Sequence, residues 1–127
     1  MFNSIASAWP RLMLTRSRNA SPGGFTKVEP GDTVGELTWT ADDGADYRTI
    51  AAAIQVDVDG ATSENTVPGR FRFYTGGTEV MRIKSSGGVR YVPLASAPSS
   101  PDAGEVYYDS TTNKLRCYNG TIWNDLF

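Results

Sequence analysis

The chain has 127 residues, enough for one domain and too few for two full ones. Hydrophobic residues make up only 39%, against 13 Gly, 7 Pro, 13 Thr and 11 Ser, a balance of turn formers and polar β-formers that excludes a helical bundle or coiled coil. There is no histidine, which removes Ser-His-Asp triads, Cys-His pairs and His-ligated metal sites, and the net charge of −2 argues against a general nucleic-acid binder.

In chain order, residues 1–14 carry Phe2, Ile5 and Trp9 at spacings of three and four, one face of a short helix ahead of Pro10, with an extended piece after it. Such an apolar stripe marks a partner or a packed arm. Residues 1–30 hold Arg11, Arg16, Arg18 and Lys27 against Glu29, a net of +3, while the rest of the chain sums to −5. A basic arm on an acidic body can dock on an acidic partner surface, including another copy of itself, or remain a solvated tail. No apolar run is long enough for a membrane span, and the start lacks the basic region of a secretory signal.

From Gly31 the hydrophobic period becomes two. Glu36 to Thr40 alternates and stops at Asp42-Asp43-Gly44, a strong turn. Ile50, Ala52, Ile54, Val56 and Val58 are apolar at every second position, which predicts a long strand ended by Asp59-Gly60. Phe71 and Phe73 alternate with Arg70, Arg72 and Tyr74 up to Gly76-Gly77, Val80 to Lys84 follows up to Gly87-Gly88, and Val89 to Val92 makes a further short strand. Residues 95–104 read as a Pro/Ser linker. The end predicts a meander: Glu105 to Asp109, Lys114 to Tyr118, a tight turn at Asn119-Gly120, and Thr121 to Phe127. The expectation is an all-β chain of short antiparallel strands and hairpins with an extended or short-helical N-terminal arm. It divides into an arm (1–30), a β-rich module (31–94), and a linker with an aromatic meander (95–127).

The chemistry-bearing clusters are sparse. Asp42, Asp43 and Asp46 fall in a turn, where Asp is favoured for backbone hydrogen bonding, although the turn can also hold an ion loosely. Asp57 and Asp59 alternate against Val56 and Val58, which predicts that they sit on a solvated face rather than in a catalytic cleft. An EF-hand reading from Asp57 fails because its twelfth residue is Pro68. The lone Cys117 reads as a buried small side chain. Tyr107, Tyr108, Tyr118 and Trp123 crowd the final meander, as cross-strand pairs holding it together or as a platform for sugar rings.

The order of motifs resembles a module of tailed-bacteriophage fibre proteins. The residues that carry it are Arg16-Ser17-Arg18-Asn19, Gly31-Asp32-Thr33-Val34-Gly35-Glu36-Leu37, Asp43-Gly44-Ala45-Asp46-Tyr47, Val58-Asp59-Gly60, Pro68-Gly69-Arg70-Phe71-Arg72-Phe73 and Glu79-Val80-Met81-Arg82-Ile83. Pro101 to Asp109 and Tyr118 to Trp123 are similar to a closing segment of such virion proteins. The resemblance implies a β-rich homotrimer on a virion, assembled in the bacterial host cytoplasm, with no enzymatic activity and no cofactor required. At this length a short fibre or a decoration protein of capsid or tail fits better than a long tail fibre; a glycan-binding adhesin module is the alternative. The expected trimer core is Ile50, Ala52, Ile54, Val56, Val58, Phe71 and Phe73, which would equally serve an intrachain sandwich. The expected anchor to capsid, portal or tail proteins is Phe2, Ile5, Trp9, Arg11, Arg16 and Arg18. Tyr107, Tyr108, Tyr118 and Trp123 are the residues for contact with a host glycan. Nucleic acid and membrane are not expected partners.

Overall fold

The structure, a computed structural model, describes residues 9–127. Eight strands form and no helix occurs among the described residues. The strands are β1 (Thr33–Ala41), β2 (Thr49–Val58), β3 (Gly69–Thr75), β4 (Thr78–Ile83), β5 (Val89–Tyr91), β6 (Val106–Asp109), β7 (Lys114–Tyr118) and β8 (Trp123–Asp125). They make two antiparallel meanders, a five-stranded sheet in the order β1-β2-β3-β4-β5 and a three-stranded sheet β6-β7-β8. The all-β expectation holds, strand for strand. The helical option for the arm falls mostly on residues 1–8, outside the described residues, and Trp9 to Arg18 carry no regular structure.

The turns follow local chemistry. Gly76 and Gly77 both take positive φ, 53° and 74°, and close the two-residue hairpin that sets Thr75 opposite Thr78. Asn119-Gly120 does not make the tight turn its sequence suggests. Tyr118 pairs with Trp123, so the loop has four residues, and the Asn119 carboxamide accepts from the backbone N–H of Thr121 and Ile122 at 2.9 Å each. The four-residue loop makes β8 start two positions later than expected.

The register decides which residues share a face, because directly opposed residues project to the same side. Leu37, Ile54 and Phe73 stand in one row across β1, β2 and β3, Phe73 opposes Met81, and Met81 opposes Tyr91. Gly35, Val56, Phe71, Ile83 and Val89 make a second row on that face. Asp57 opposes Arg70, Gln55 opposes Arg72, and Arg72 opposes Arg82, all on the other face. The large sheet is therefore apolar on one side and charged on the other.

The two sheets are tied at Leu94, which bridges Asp109 in parallel: Leu94 N–H donates to the Tyr108 carbonyl at 2.9 Å, and Ser110 N–H donates to Leu94. Residues before β1 are also bound in. Gly31 N–H donates to Val58 O and Val58 N–H to Asp32 O, at 2.8 Å each, and the Thr62 hydroxyl donates to Val28 O. Val28 is buried, so the last residues of the expected arm belong to the body.

Candidate functional site

The apolar face of the five-stranded sheet is open. Among the described residues only Val28, Ala53, Val58 and Tyr107 are buried apolar side chains, and just one of the seven expected core residues, Val58, is among them. Phe71 is 48% exposed, Trp39 52% and Leu37 42%; Ile50 is exposed, while Ala52, Ile54, Val56, Phe73, Met81 and Ile83 are half-buried. Val58, fully enclosed where β2 meets the Gly31–Asp32 segment, serves the chain's own core instead. Five of the other six, Ala52, Ile54, Val56, Phe71 and Phe73, lie together on the open face in the rows set by the register; Ile50 does not, because a bulge at Ala51 sets it opposite Thr40, on the face of Glu36, Ala53 and Gln55. Sheets form stable layers only when such a face is covered.

The opposite face needs no cover. Asp57 and Asp59 were expected on a solvated face; instead Asp57 is 1% exposed and the Asp59 side chain 6%. Asp57 accepts from Thr33 Oγ1 at 3.0 Å, Gln55 Nε2 at 2.5 Å, Arg72 Nη1 at 3.1 Å and Arg70 Nη2 at 3.3 Å. Arg70 also reaches Asp59 at 3.1 Å; Arg72 continues to Glu79 at 2.7 Å, and Glu79 accepts from Arg82 Nε at 2.6 Å. Acids and arginines thus alternate in a ladder across β2, β3 and β4. Alternate long side chains lying along the strands exclude water from the carboxylates, which the period-two pattern cannot reveal. Burial alone pushes Asp57 up, but the donors from Gln55, Thr33, Arg72 and Arg70 outweigh it and hold the carboxyl below its ordinary value. The bidentate Arg82 hydrogen bond, helped by Arg72 and against the opposing effect of burial, does the same for Glu79.

The N-terminal arm is clamped at its base. Arg18 donates from Nε and Nη2 to Asp32 at 2.6 and 3.0 Å, Arg16 Nη2 reaches the same carboxylate at 3.2 Å, and Glu29 N–H donates at 2.9 Å. The Arg18 hydrogen bond and that backbone N–H, with Arg16's charge behind them and against the cost of burial, lower Asp32 to about 2. Arg16 and Arg18, expected as outward anchors, thus spend their charge within the chain. Leu14 lies over Gly35 on the apolar face, so closely that a Cβ added at Gly35 would stand 2.8 Å from Leu14 Cβ. Ahead of it Trp9, Leu12 and Met13 are 64%, 67% and 72% exposed, with Arg11 stacked over the Trp9 ring at 4.9 Å. Phe2 and Ile5 lie outside the described residues.

The clamp makes a pH prediction. Asp32 is lowered from 3.8 to about 2, so its contribution to stability is complete above about pH 4 and is lost as pH falls through 2. Asp32→Asn, which cannot titrate, is expected to show a shallower fall in urea midpoint between pH 4 and pH 2 than the parent chain. Parallel falls would contradict the clamp.

The aromatic meander is divided between two faces. Tyr107 is 5% exposed and meets Trp123 edge to face at 4.6 Å, and Trp123 also contacts Tyr118 at 5.3 Å. Asp109 and Asp125 flank them, paired to Arg116 at 3.5 and 3.0 Å. Tyr108 projects to the other side with Leu115, its register partner. Three of the four aromatics are therefore each other's packing, and Cys117 is half-buried on the opposite face with Tyr108 and Leu115. Trp123→Ala should cost about 2 kcal/mol, less than for a fully buried Trp, and abolish the near-UV circular dichroism of the cluster. An unchanged unfolding midpoint would show that the ring is not a packing element.

The Asp42–Asp46 turn satisfies itself: Asp42 accepts from Gly44 N–H at 2.8 Å, Asp43 from Ala45 N–H at 2.9 Å, and Asp46 from Arg48 N–H at 2.7 Å. Among the described residues no group of three or more Cys, Asp or Glu has metal-holding geometry. No helix among them is long and apolar enough to cross a membrane. No protein-family model matches the chain, and no curated protein matches it at a significant level.

Proposed function

We propose that the chain is a structural protein of a tailed-phage particle, a short trimeric fibre or decoration protein held on the virion by its N-terminal arm. The observation that carries this reading is the uncovered apolar face, with Leu37, Ile54, Val56, Phe71 and Phe73 on one side of a sheet whose other side is closed by its own ion pairs. Three copies around an axis bring three such faces together, each copy covering two neighbours, and closed symmetry limits further growth. The motif order of the sequence supplies the particle. No catalytic step is needed, and the role asks only for a stable, self-associating body with a free end.

Because Arg16 and Arg18 are engaged at Asp32, attachment to capsid, portal or tail falls to the residues ahead of Leu14. The adhesin alternative draws less support, since Tyr107 is enclosed and Trp123 packs against it. The test is recovery of the chain from density-banded particles released by the cell that encodes it. Copies per particle in a multiple of three are expected; particles free of the chain would overturn the assignment.

A further inference from the structure

We infer that the segment Trp9–Met13 of one copy seats on the β1 margin of the apolar face of a second copy, beyond the notch that each copy's own Leu14 fills, so that the assembly is laced by exchanged arms. The inference rests on the self-association just proposed and names what covers part of the open face. Two apolar surfaces of one chain are left uncovered. The arm exposes Trp9, Leu12 and Met13, and the β1 margin exposes Leu37 and Trp39. They do not cover each other within the chain, although Leu14 already rests on the same face at Gly35.

That contact shows the fit: the missing side chain at Gly35 leaves a notch that a leucine of the arm fills. Read outward from the notch, β1 presents Leu37 and Trp39 and ends at the acidic Asp42, Asp43 and Asp46, while the arm presents Met13, Leu12, then Arg11 and Trp9. An extended run from Met13 to Trp9 reaches about 13 Å, and Leu37 to Asp42 spans about 17 Å, so the segment fits along the exposed part of β1. Apolar side chains meet apolar ones, and the basic group lies toward the acidic end. The Asp32 clamp keeps the root of the arm on its own body while the segment ahead crosses. The residues before Trp9 are then left to hold the particle.

The test uses the full chain with Cys117→Ser. Two species of different tag length, Met13→Cys and Leu37→Cys, are refolded together and oxidised, beside a chain carrying both substitutions; light scattering gives the mass of each before oxidation. The expected result is a trimer in which up to about half of the mixed chains run as a disulfide-linked pair of unequal chains, while the doubly substituted chain links into a covalent trimer. A trimer in which the doubly substituted chain closes only on itself, or in which no link forms, overturns arm exchange and leaves the trimer standing. A monomer overturns both.

Discussion

Phe73→Asp should convert the associated protein to monomers while leaving the strand content intact. Phe73 sits in the middle of the open face, between Ile54 on β2 and Met81 on β4. In the free chain Phe73 is half-buried beside Pro98, Val106 and Tyr107, so an aspartate there also lowers folding stability, which circular dichroism at the working concentration checks. In a trimer it places three carboxylates in an apolar core with no cation opposite. Burying a Phe side chain contributes roughly 1.5–3 kcal/mol, and one is lost per copy. Unpaired buried charge adds several more, so dissociation should shift by at least a thousandfold in concentration. Sedimentation velocity across micromolar concentrations reads this directly. Arg72→Gln, on the opposite face, is the comparison: it should weaken folding and leave the mass unchanged. If both variants retain the parent mass, the apolar face is not the interface.

The second large effect is on folding itself. Asp57→Ala should lower stability by about 3 kcal/mol, because removing one member of a buried ionic network leaves its partners' charges uncompensated. Asp57 is 1% exposed and accepts from Arg70, Arg72, Gln55 and Thr33 on three strands. Glu36→Ala, at an exposed position on the same face, should change stability by less than about 0.5 kcal/mol. Urea denaturation at fixed chain concentration distinguishes them, and equal effects would contradict the ladder.

The sequence made the strands legible because period-two runs bounded by Gly-Gly or Asp-Gly admit few alternatives. Ala52 to Val56 and Arg70 to Phe73 alternate so cleanly that pairing places Ile54, Val56, Phe71 and Phe73 on one side, while a bulge at Ala51 turns Ile50 to the other. Whether that side is covered was not legible. Alternation names a face but not its occupant, and the same residues suit a sandwich core or an interface. The charged face was misread for a related reason. Asp57 and Asp59 look solvated in a chain of letters, and only the register shows that Arg70 and Arg72 stand beside them.

The arm was misread in its charges. Arg16 and Arg18 look free because Asp32 is 14 or more residues away, yet the turn at Glu29–Asp32 brings that carboxylate against both guanidiniums. Val28 is buried for the same reason, so contact with the body begins near Leu14 rather than after residue 30. In the meander the signal was sound and its use was local. Tyr107, Tyr118 and Trp123 cluster because a three-stranded sheet has little else with which to build a core.

A chain that completes its core with copies of itself has a fixed mass in solution, which light scattering of the full purified chain reads from high to low micromolar concentration. Three times the 13.8 kDa chain mass, unchanged on dilution, is expected. A mass of one chain at every concentration, with the strands intact by circular dichroism, would contradict it.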